Sequence, residues 1–301
     1  MSELVSRHVQ AVRMVNSRWL AAVVIVVCFG WSFWPTLRRL WLVWQTAADY
    51  SAGQLVPLAA VYLLWRRRHD LTGLDVRPCW WGLAVLALSQ AARFLGAYWV
   101  SASLERCSLV LAVAGLVLLL AGSQVFWQLR WLLLFLVLAL PLPARVHELV
   151  SLPMQTMATR GAGFLLELAG LAVIQEGNVL HLDGRTSIAV AEACNGLRML
   201  TAFVIVAAVM AMLVTRPAWQ RAGLLISSVP VAIAANVLRL AVTGMVAMAL
   251  GSTLTERFHD LAGLLMMPLA VAILAAELAL FARLVSGGQL QSARRQAAGP
   301  R

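Results

Sequence analysis

Lysine is missing from this sequence, and charged residues of every kind are scarce. Asp, Glu, Lys and Arg together account for 12% of the 301 residues, whereas 61% are apolar. Soluble domains carry about 25% charged residues, because they must cover their surface with polar groups. The composition therefore excludes an ordinary soluble domain and predicts a protein whose apolar side chains face lipid.

Cysteine pairs with the spacing of metal ligands are also missing. Cys28, Cys79, Cys107 and Cys194 form no CxxC pair, so no zinc site is predicted, and no metal or organic cofactor is expected. All 24 basic residues are Arg, against 13 acidic residues, and they are spread between apolar segments. This distribution argues against a nucleic-acid partner and favours contact with a lipid bilayer.

Long apolar runs are what the sequence has in abundance. A membrane-spanning helix needs about 20 mostly apolar residues. The candidate spans are Trp19–Trp34, Ser51–Trp65, Trp80–Ala97, Leu104–Gly122, Val125–Leu142, Gly196–Val214, Ala222–Leu240 and Leu261–Leu284. The predicted fold is an all-α polytopic membrane protein with about eight transmembrane helices. Its first run, stopped by Pro35, is interpreted as a retained signal anchor.

The distribution of arginine predicts the orientation in the membrane. With the N-terminus inside, 14 arginines fall in cytoplasmic segments and 6 in outer loops, the bias expected of an inner-membrane protein. Residues 1–18 then form a cytoplasmic segment, residues 19–284 a single multi-span domain, and residues 285–301 a basic cytoplasmic tail. Both termini are expected in the cytoplasm.

One long connection, the outer loop 143–193, carries two local patterns. Its first part, Glu148–Val173, is amphipathic and is predicted to lie on the membrane surface. Its second part has apolar residues on both sides of Asp183-Gly184, which is a strong turn signal. The sequence therefore predicts a short β-hairpin in this loop, directly before Cys194.

Ionisable residues near span ends are the informative ones in a membrane protein. Cys194 stands at the start of a span, where the helix N-terminus and Arg198 favour a thiolate. Asn236 and Arg239 are three residues apart, so they share a helix face. His259 precedes the last span. All three groups are expected at the outer face of the membrane.

Each of these residues also has an ordinary explanation. Cys194 can be a packing cysteine or pair with Cys107 in a disulfide, Arg239 can snorkel to the lipid headgroups, and His259 can be a solvated surface residue. Together, however, Cys, His and Arg support nucleophilic catalysis. The thiolate attacks a carbonyl carbon, Arg stabilises the oxyanion, and His protonates the leaving amine.

At these positions the chain resembles the exosortase/archaeosortase family. The motifs are Ala193-Cys194-Asn195-Gly196-Leu197-Arg198, Asn236-Val237-Leu238-Arg239 and His259, and the similarity extends to Leu55-Val56-Pro57-Leu58, Leu140-Pro141-Leu142-Pro143 and Glu176-Gly177-Asn178. The resemblance implies that Cys194 is the nucleophile, Arg239 the oxyanion stabiliser and His259 the general acid. Supporting roles fall to Glu192, Asn195, Arg198 and Asn236. The family often has Ser where Asn195 stands.

The resemblance also implies a substrate. The expected partners are membrane-anchored exported proteins with a C-terminal sorting signal of the PEP-CTERM kind, cleaved just outside the membrane through a thioester. The final acceptor, hydrolytic or ligating, and the oligomeric state stay open. Two other functions remain as alternatives: a polytopic transporter with arginines lining an anion path, and a non-catalytic subunit of an envelope export system.

Overall fold

The computed structural model describes residues 2–74, 76–183, 186–189, 196–250, 262, 265, 268–281 and 283. The helices are α1 (Ser2–Thr46), α2 (Leu55–Arg66), α3 (Arg68–Leu71), α4 (Trp81–Tyr98), α5 (Ala102–Ala121), α6 (Ser123–Phe135), α7 (Ala144–Leu168), α8 (Leu197–Leu213), α9 (Ala218–Leu250) and α10 (Pro268–Phe281). The strands are β1 (Val173–Glu176), β2 (Val179–Leu182) and β3 (Thr186–Ala189). Two 3₁₀ segments, Ala48–Gln54 and Leu136–Ala139, complete the description.

The protein divides into two compact units. Unit 1 comprises Met1–Gln45 and Arg67–Leu140, and unit 2 comprises Thr46–Arg66 and Pro141–Arg301. Large apolar side chains on the helices point outward, among them Trp31 at 85% and Phe94 at 74% exposure. Such exposure is costly in water and favourable in lipid, so the structure agrees with a membrane protein.

Helix α1 runs past the proline at which the sequence predicts an end. Pro35 lies inside the helix, which continues to Thr46. A proline removes one backbone hydrogen bond and bends a helix, but a long apolar helix surrounded by lipid has no better conformation for the residues that follow. Arg38 and Arg39, expected in an outer loop, are therefore helical residues.

Small residues let α4 and α5 pack very closely in unit 1. A Cβ atom added at Gly96 would come within 2.8 Å of the Glu105 nitrogen, and one added at Gly82 would lie still closer to Leu119. Between these contacts the buried Ser89 hydroxyl donates to the Ser108 carbonyl at 2.7 Å. This is how membrane helices associate when burial from water is not the driving force.

Polar contacts join α1 to the other helices of unit 1. The buried carboxylate of Glu105 accepts hydrogen bonds from Thr36 and Arg39, both at 2.8 Å. Arg93 donates to Ser32 at 2.7 Å and lies over the Phe33 ring. The sequence left two interpretations of Arg93 open, an interhelical partner or a snorkelling group, and its contacts with α1 favour the first.

Helix α9 is the central element of unit 2. Its first half packs against α8 and α10, with Phe203, Ala232 and Ala270 in one cluster and Leu224 and Leu274 in another. Its second half packs against α7 and β2, where Leu240 and Ala241 meet Ala158, Ala162, Leu166, Leu180 and Leu182. Asn236 and Arg239 lie between these two regions of the helix.

The predicted hairpin is present as part of a larger sheet. β2 pairs with β3, as expected, but β1 also pairs with β2, giving an antiparallel sheet of order β1-β2-β3. The segment Glu148–Val173, predicted to lie on the membrane surface, is mostly helix α7 and ends in β1. α7 buries a stripe containing Ser151, Met154 and Ala158 within unit 2, because its apolar face finds protein to cover it.

The count of eight spans is not confirmed. Among the described residues, three helices are long and apolar enough to cross a membrane, and a fourth span results if the bent pair α6–α7 is counted once. That pair turns by 76° at Leu140-Pro141-Leu142-Pro143, where two prolines oppose helix continuation. α2 has 12 residues and α8 has 17, so both are shorter than the roughly 20 residues of a typical span.

Candidate functional site

Asn236 and Arg239 form a buried polar pair on α9. Their exposures are 1% and 3%, and Arg239 Nη2 donates to Asn236 Oδ1 at 2.9 Å. The shared helix face that their spacing predicts is thereby confirmed. Arg239 does not extend toward the surface, so the snorkelling explanation does not fit. A guanidinium enclosed by protein in a membrane helix is costly, and such residues usually serve function.

Gly196 brings the Cys194 motif against this pair. It is the N-cap of α8 with φ 88°, a left-handed conformation that favours glycine. A Cβ at this position would lie 2.9 Å from Asn236 Nδ2 and 3.1 Å from Met154 Cε. The backbone two residues after Cys194 is therefore in close contact with the side chain that holds Arg239.

The first turn of α8 is anchored on its other side by Thr201. The Thr201 hydroxyl lies 3.0 Å from two carbonyl oxygens, those of Arg198 and Asp49. The second of these belongs to the 3₁₀ segment Ala48–Gln54, which thus packs against the start of α8. Arg198 is half-buried in this turn, and the N-terminus of α8 falls at Leu197, next to the predicted Gly196.

Several predicted site residues lie outside the described residues: Glu192, Cys194, Asn195 and His259. Their distances to Arg239 therefore stay predictions, as does the shared face of Cys194 and Arg198. Cys107 is an exposed free thiol on α5, which leaves the alternative of a disulfide with Cys194 without support.

The comparison with family models decides the family. The model for transmembrane exosortases matches residues 44–276, more than three quarters of the chain. The chain belongs to the transmembrane exosortase family. This family comprises membrane-embedded enzymes of protein sorting. Comparisons with curated proteins and with solved structures returned no significant match.

The exosortase has a second polar cluster that sequence reasoning missed. Tyr50 Oη lies 2.7 Å from His147 Nδ1, and His147 Nε2 lies 3.8 Å from Asp49 Oδ2. Tyr50 and His147 are 97 residues apart, and the sequence pattern ranked His147 below His259. The one local signal was an Asp-Tyr pair between apolar runs, because an acidic residue in such a place needs a partner.

His181, the other histidine of the segment 143–193, has partners within the small sheet. His181, expected to be a strand residue, is on β2 with Nδ1 2.8 Å from Ser187 Oγ and Nε2 3.5 Å from Glu176. Beside the sheet, an open cleft of about 390 Å³ is lined by Thr156, Arg160, Gln175, Gly177 and Asn178. Neither Asn236 nor Arg239 lines it, so the cleft is separate from the buried pair.

Within the described part of the exosortase, no group of three or more His, Cys, Asp or Glu side chains is arranged to hold a metal ion. For Glu277 the sequence left two interpretations open, an interhelical partner or a snorkelling group. Glu277 accepts a hydrogen bond from Ser227 on α9 at 2.7 Å, a contact that joins α10 to α9 and favours the first.

Proposed function

We propose that this exosortase is a cysteine protease or transpeptidase that cleaves the C-terminal sorting signal of exported, membrane-anchored proteins. Cys194 acts as nucleophile, Arg239 stabilises the tetrahedral intermediate, and His259 is the general acid. The observation that supports this best is the contact of Gly196 with Asn236, which in turn binds Arg239. Two residues of extended chain span about 7 Å, so this contact favours a thiol near the guanidinium.

The proposed reaction begins with attack of the Cys194 thiolate on the carbonyl carbon of the scissile peptide bond. A carbon–sulfur bond forms, and the carbonyl electron pair moves to oxygen. The negative charge is stabilised by Arg239, whose planar guanidinium can offer two donors. Collapse of the intermediate breaks the carbon–nitrogen bond, His259 gives its proton to the departing amine, and a thioester remains.

In this scheme Asn236 orients the guanidinium of Arg239. Its amide oxygen accepts a hydrogen bond from Nη2 of Arg239 at 2.9 Å and so fixes the orientation of the planar guanidinium. Enclosure by protein also strengthens the attraction between this guanidinium and a negative charge, because electrostatic interactions are stronger where water is excluded. A positioned guanidinium in a dry environment is what a developing oxyanion requires.

The substrate and the location follow from the family resemblance and the arginine bias. The signal is of the PEP-CTERM kind, with a short proline-containing motif, a spanning helix and a basic cluster. Cleavage takes place on the periplasmic side of the bacterial inner membrane, with both termini of the enzyme in the cytoplasm. A membrane-embedded enzyme suits such a substrate, because the spanning helix of the signal can lie beside the helices of the enzyme.

Co-expression with a tagged substrate tests the proposal. The wild-type enzyme is expected to convert the substrate to a shortened product, whereas Cys194→Ala leaves it at full length. Cys107→Ala is the matched control, since Cys107 is an exposed free thiol on α5, and it should process normally. Product formation by Cys194→Ala at the wild-type rate would show that the thiol is not the nucleophile.

A further inference from the structure

The cluster Asp49–Tyr50–His147 has the geometry of a proton relay. The Asp49 carboxylate lies 3.8 Å from Nε2 of His147. In the neutral ring this arrangement favours the tautomer with hydrogen on Nε2, because a lone pair there would face negative charge. Nδ1 is then the acceptor, and the Tyr50 hydroxyl donates to it at 2.7 Å. Asp, His and a hydroxyl thus follow one another in the order of a catalytic triad, with a phenol in the place of the serine and an ion-pair distance, not a hydrogen bond, between Asp49 and His147.

The cluster adjoins the start of α8, where the Cys194 motif ends. The Thr201 hydroxyl lies 3.0 Å from the carbonyl oxygen of Asp49, and Thr201 is five residues, about 7.5 Å of helix rise, from Gly196. His147 lies on α7 seven residues before Met154, so both are on one helix face, and Met154 contacts Gly196. Two independent elements therefore connect the cluster to this motif.

We propose that Asp49, His147 and Tyr50 deprotonate the acceptor, a water or an amine, that releases the product from the Cys194 thioester. This inference rests on the proposed function. It assigns a base to the second half of the reaction, for which Arg239 and His259 supply an oxyanion stabiliser and an acid for the first half.

The acceptor attacks the thioester carbonyl, and a carbon–oxygen or carbon–nitrogen bond forms. The proton of the acceptor passes to Tyr50 Oη while the phenolic proton passes to His147 Nδ1, and Asp49 stabilises the imidazolium that results. The carbon–sulfur bond then breaks, and the proton returns through Tyr50 to the Cys194 sulfur. No oxidant, reductant or metal takes part.

The test follows the thioester between enzyme and tagged substrate in membranes. His147→Gln and Tyr50→Phe are expected to slow product release about 100-fold, in the range of general base catalysis, while the first cleavage proceeds. A covalent adduct of enzyme and substrate should then accumulate. Hydroxylamine, which attacks thioesters at neutral pH without a general base, should discharge the adduct and restore release.

The control is His181→Gln, because His181 lies in the same unit with its own partners, Ser187 and Glu176. It should release product at the wild-type rate. Tyr50→Phe keeps the ring that packs 5.9 Å from His147, so a folding defect is separated from loss of the hydroxyl. Membrane yield and the elution volume in detergent report on folding of each variant.

Two outcomes would overturn the relay. Product release by Tyr50→Phe and His147→Gln at the wild-type rate would show that the cluster has no part in the reaction. A slowed first cleavage without an adduct would assign it a structural role. Failure of the proposed function is distinguishable, because processing would then persist in Cys194→Ala whatever the relay variants do.

Discussion

Arg239 is a guanidinium enclosed by protein, with its Nη2 atom held by Asn236. Lys at this position keeps the positive charge but loses the planar fork and the bond geometry to the amide. We expect Arg239→Lys to lower the rate of processing about 100-fold, the cost of removing one oxyanion donor in other enzymes. The time course of product formation in membranes measures this.

Arg160→Lys is the control for that substitution. Arg160 is exposed on α7 at the rim of the open cleft, and its replacement should leave the rate unchanged. Processing by Arg239→Lys at a rate close to wild type would argue against an oxyanion role, because an ammonium cannot hold a planar group through two parallel bonds.

Gly196 allows a test of the contact that links the Cys194 motif to Asn236. Gly196→Ala adds a Cβ that would lie 2.9 Å from Asn236 Nδ2, at a residue with φ 88°. We expect processing to fall at least about 10-fold, since displacement by 1 Å can cost that or more in a catalytic site. Activity and thermal stability in detergent are measured together.

Gly170→Ala separates backbone strain from this contact. Gly170 follows α7 with φ 90°, and an added Cβ there meets nothing within 4 Å. Both substitutions should cost about 1–2 kcal/mol of stability, the strain of a left-handed residue. Only Gly196→Ala should lose activity. Equal activities for the two variants would show that the close contact of Gly196 with Asn236 is not needed for processing.

A sequence reveals which residues are neighbours on one helix, but not which distant residues meet when the chain folds. The shared face of Asn236 and Arg239 was predictable, because helix periodicity alone brings residues three apart together. The approach of Tyr50 to His147 was not, because it depends on how the 3₁₀ segment Ala48–Gln54 and α7 pack in unit 2. No local pattern encodes a contact across 97 residues.

The end of α4 holds a residue that its backbone does not suit. Val100 has φ 54°, and the bonds from Val100 to Ala97 and from Ser101 to Gly96 form a Schellman motif around it. A branched side chain in the left-handed region is strained. Val100→Gly is expected to raise the free energy of unfolding by about 1 kcal/mol, measured by thermal unfolding in detergent.

Ala97→Gly is the matched control at the same helix end. Ala97 is exposed and helical, so glycine there should lower stability by about 0.5–1 kcal/mol. If glycine raises stability at position 100 and lowers it at position 97, the left-handed backbone conformation of Val100 is the cause. A lower melting temperature for Val100→Gly would show that the turn carries no strain.

Element types followed from the sequence more reliably than element ends. Apolar runs marked α4, α5 and α8 closely, and the Asp183-Gly184 turn marked the β2–β3 hairpin. Pro35 did not end α1, and α9 continues to Leu250, ten residues beyond its predicted end at Leu240. Propensity rules describe chains in water, whereas a lipid environment rewards unbroken backbone hydrogen bonding.

For the whole molecule, hydropathy identified the class, whereas three or four candidate spans are found among the described residues against the eight predicted. Apolar composition alone does not distinguish a helix that crosses the bilayer from one that packs inside the protein. α7 shows the difference, since it buries a stripe of residues within unit 2. Orientation is argued instead from arginine bias, whose ratio of 14 to 6 was counted for eight spans with the N-terminus inside.

That bias predicts opposite sides for the small sheet and the C-terminal tail. In a cysteine-free background, Glu176→Cys is expected to react with a membrane-impermeant thiol reagent in intact cells, because the Glu176 side chain is 74% exposed on β1. Ser292→Cys in the tail should react only after the membrane is permeabilised. The reverse pattern would place the sheet in the cytoplasm. β3 ends at Ala189, seven residues before Gly196 in the chain, so a cytoplasmic sheet would also contradict cleavage on the periplasmic side.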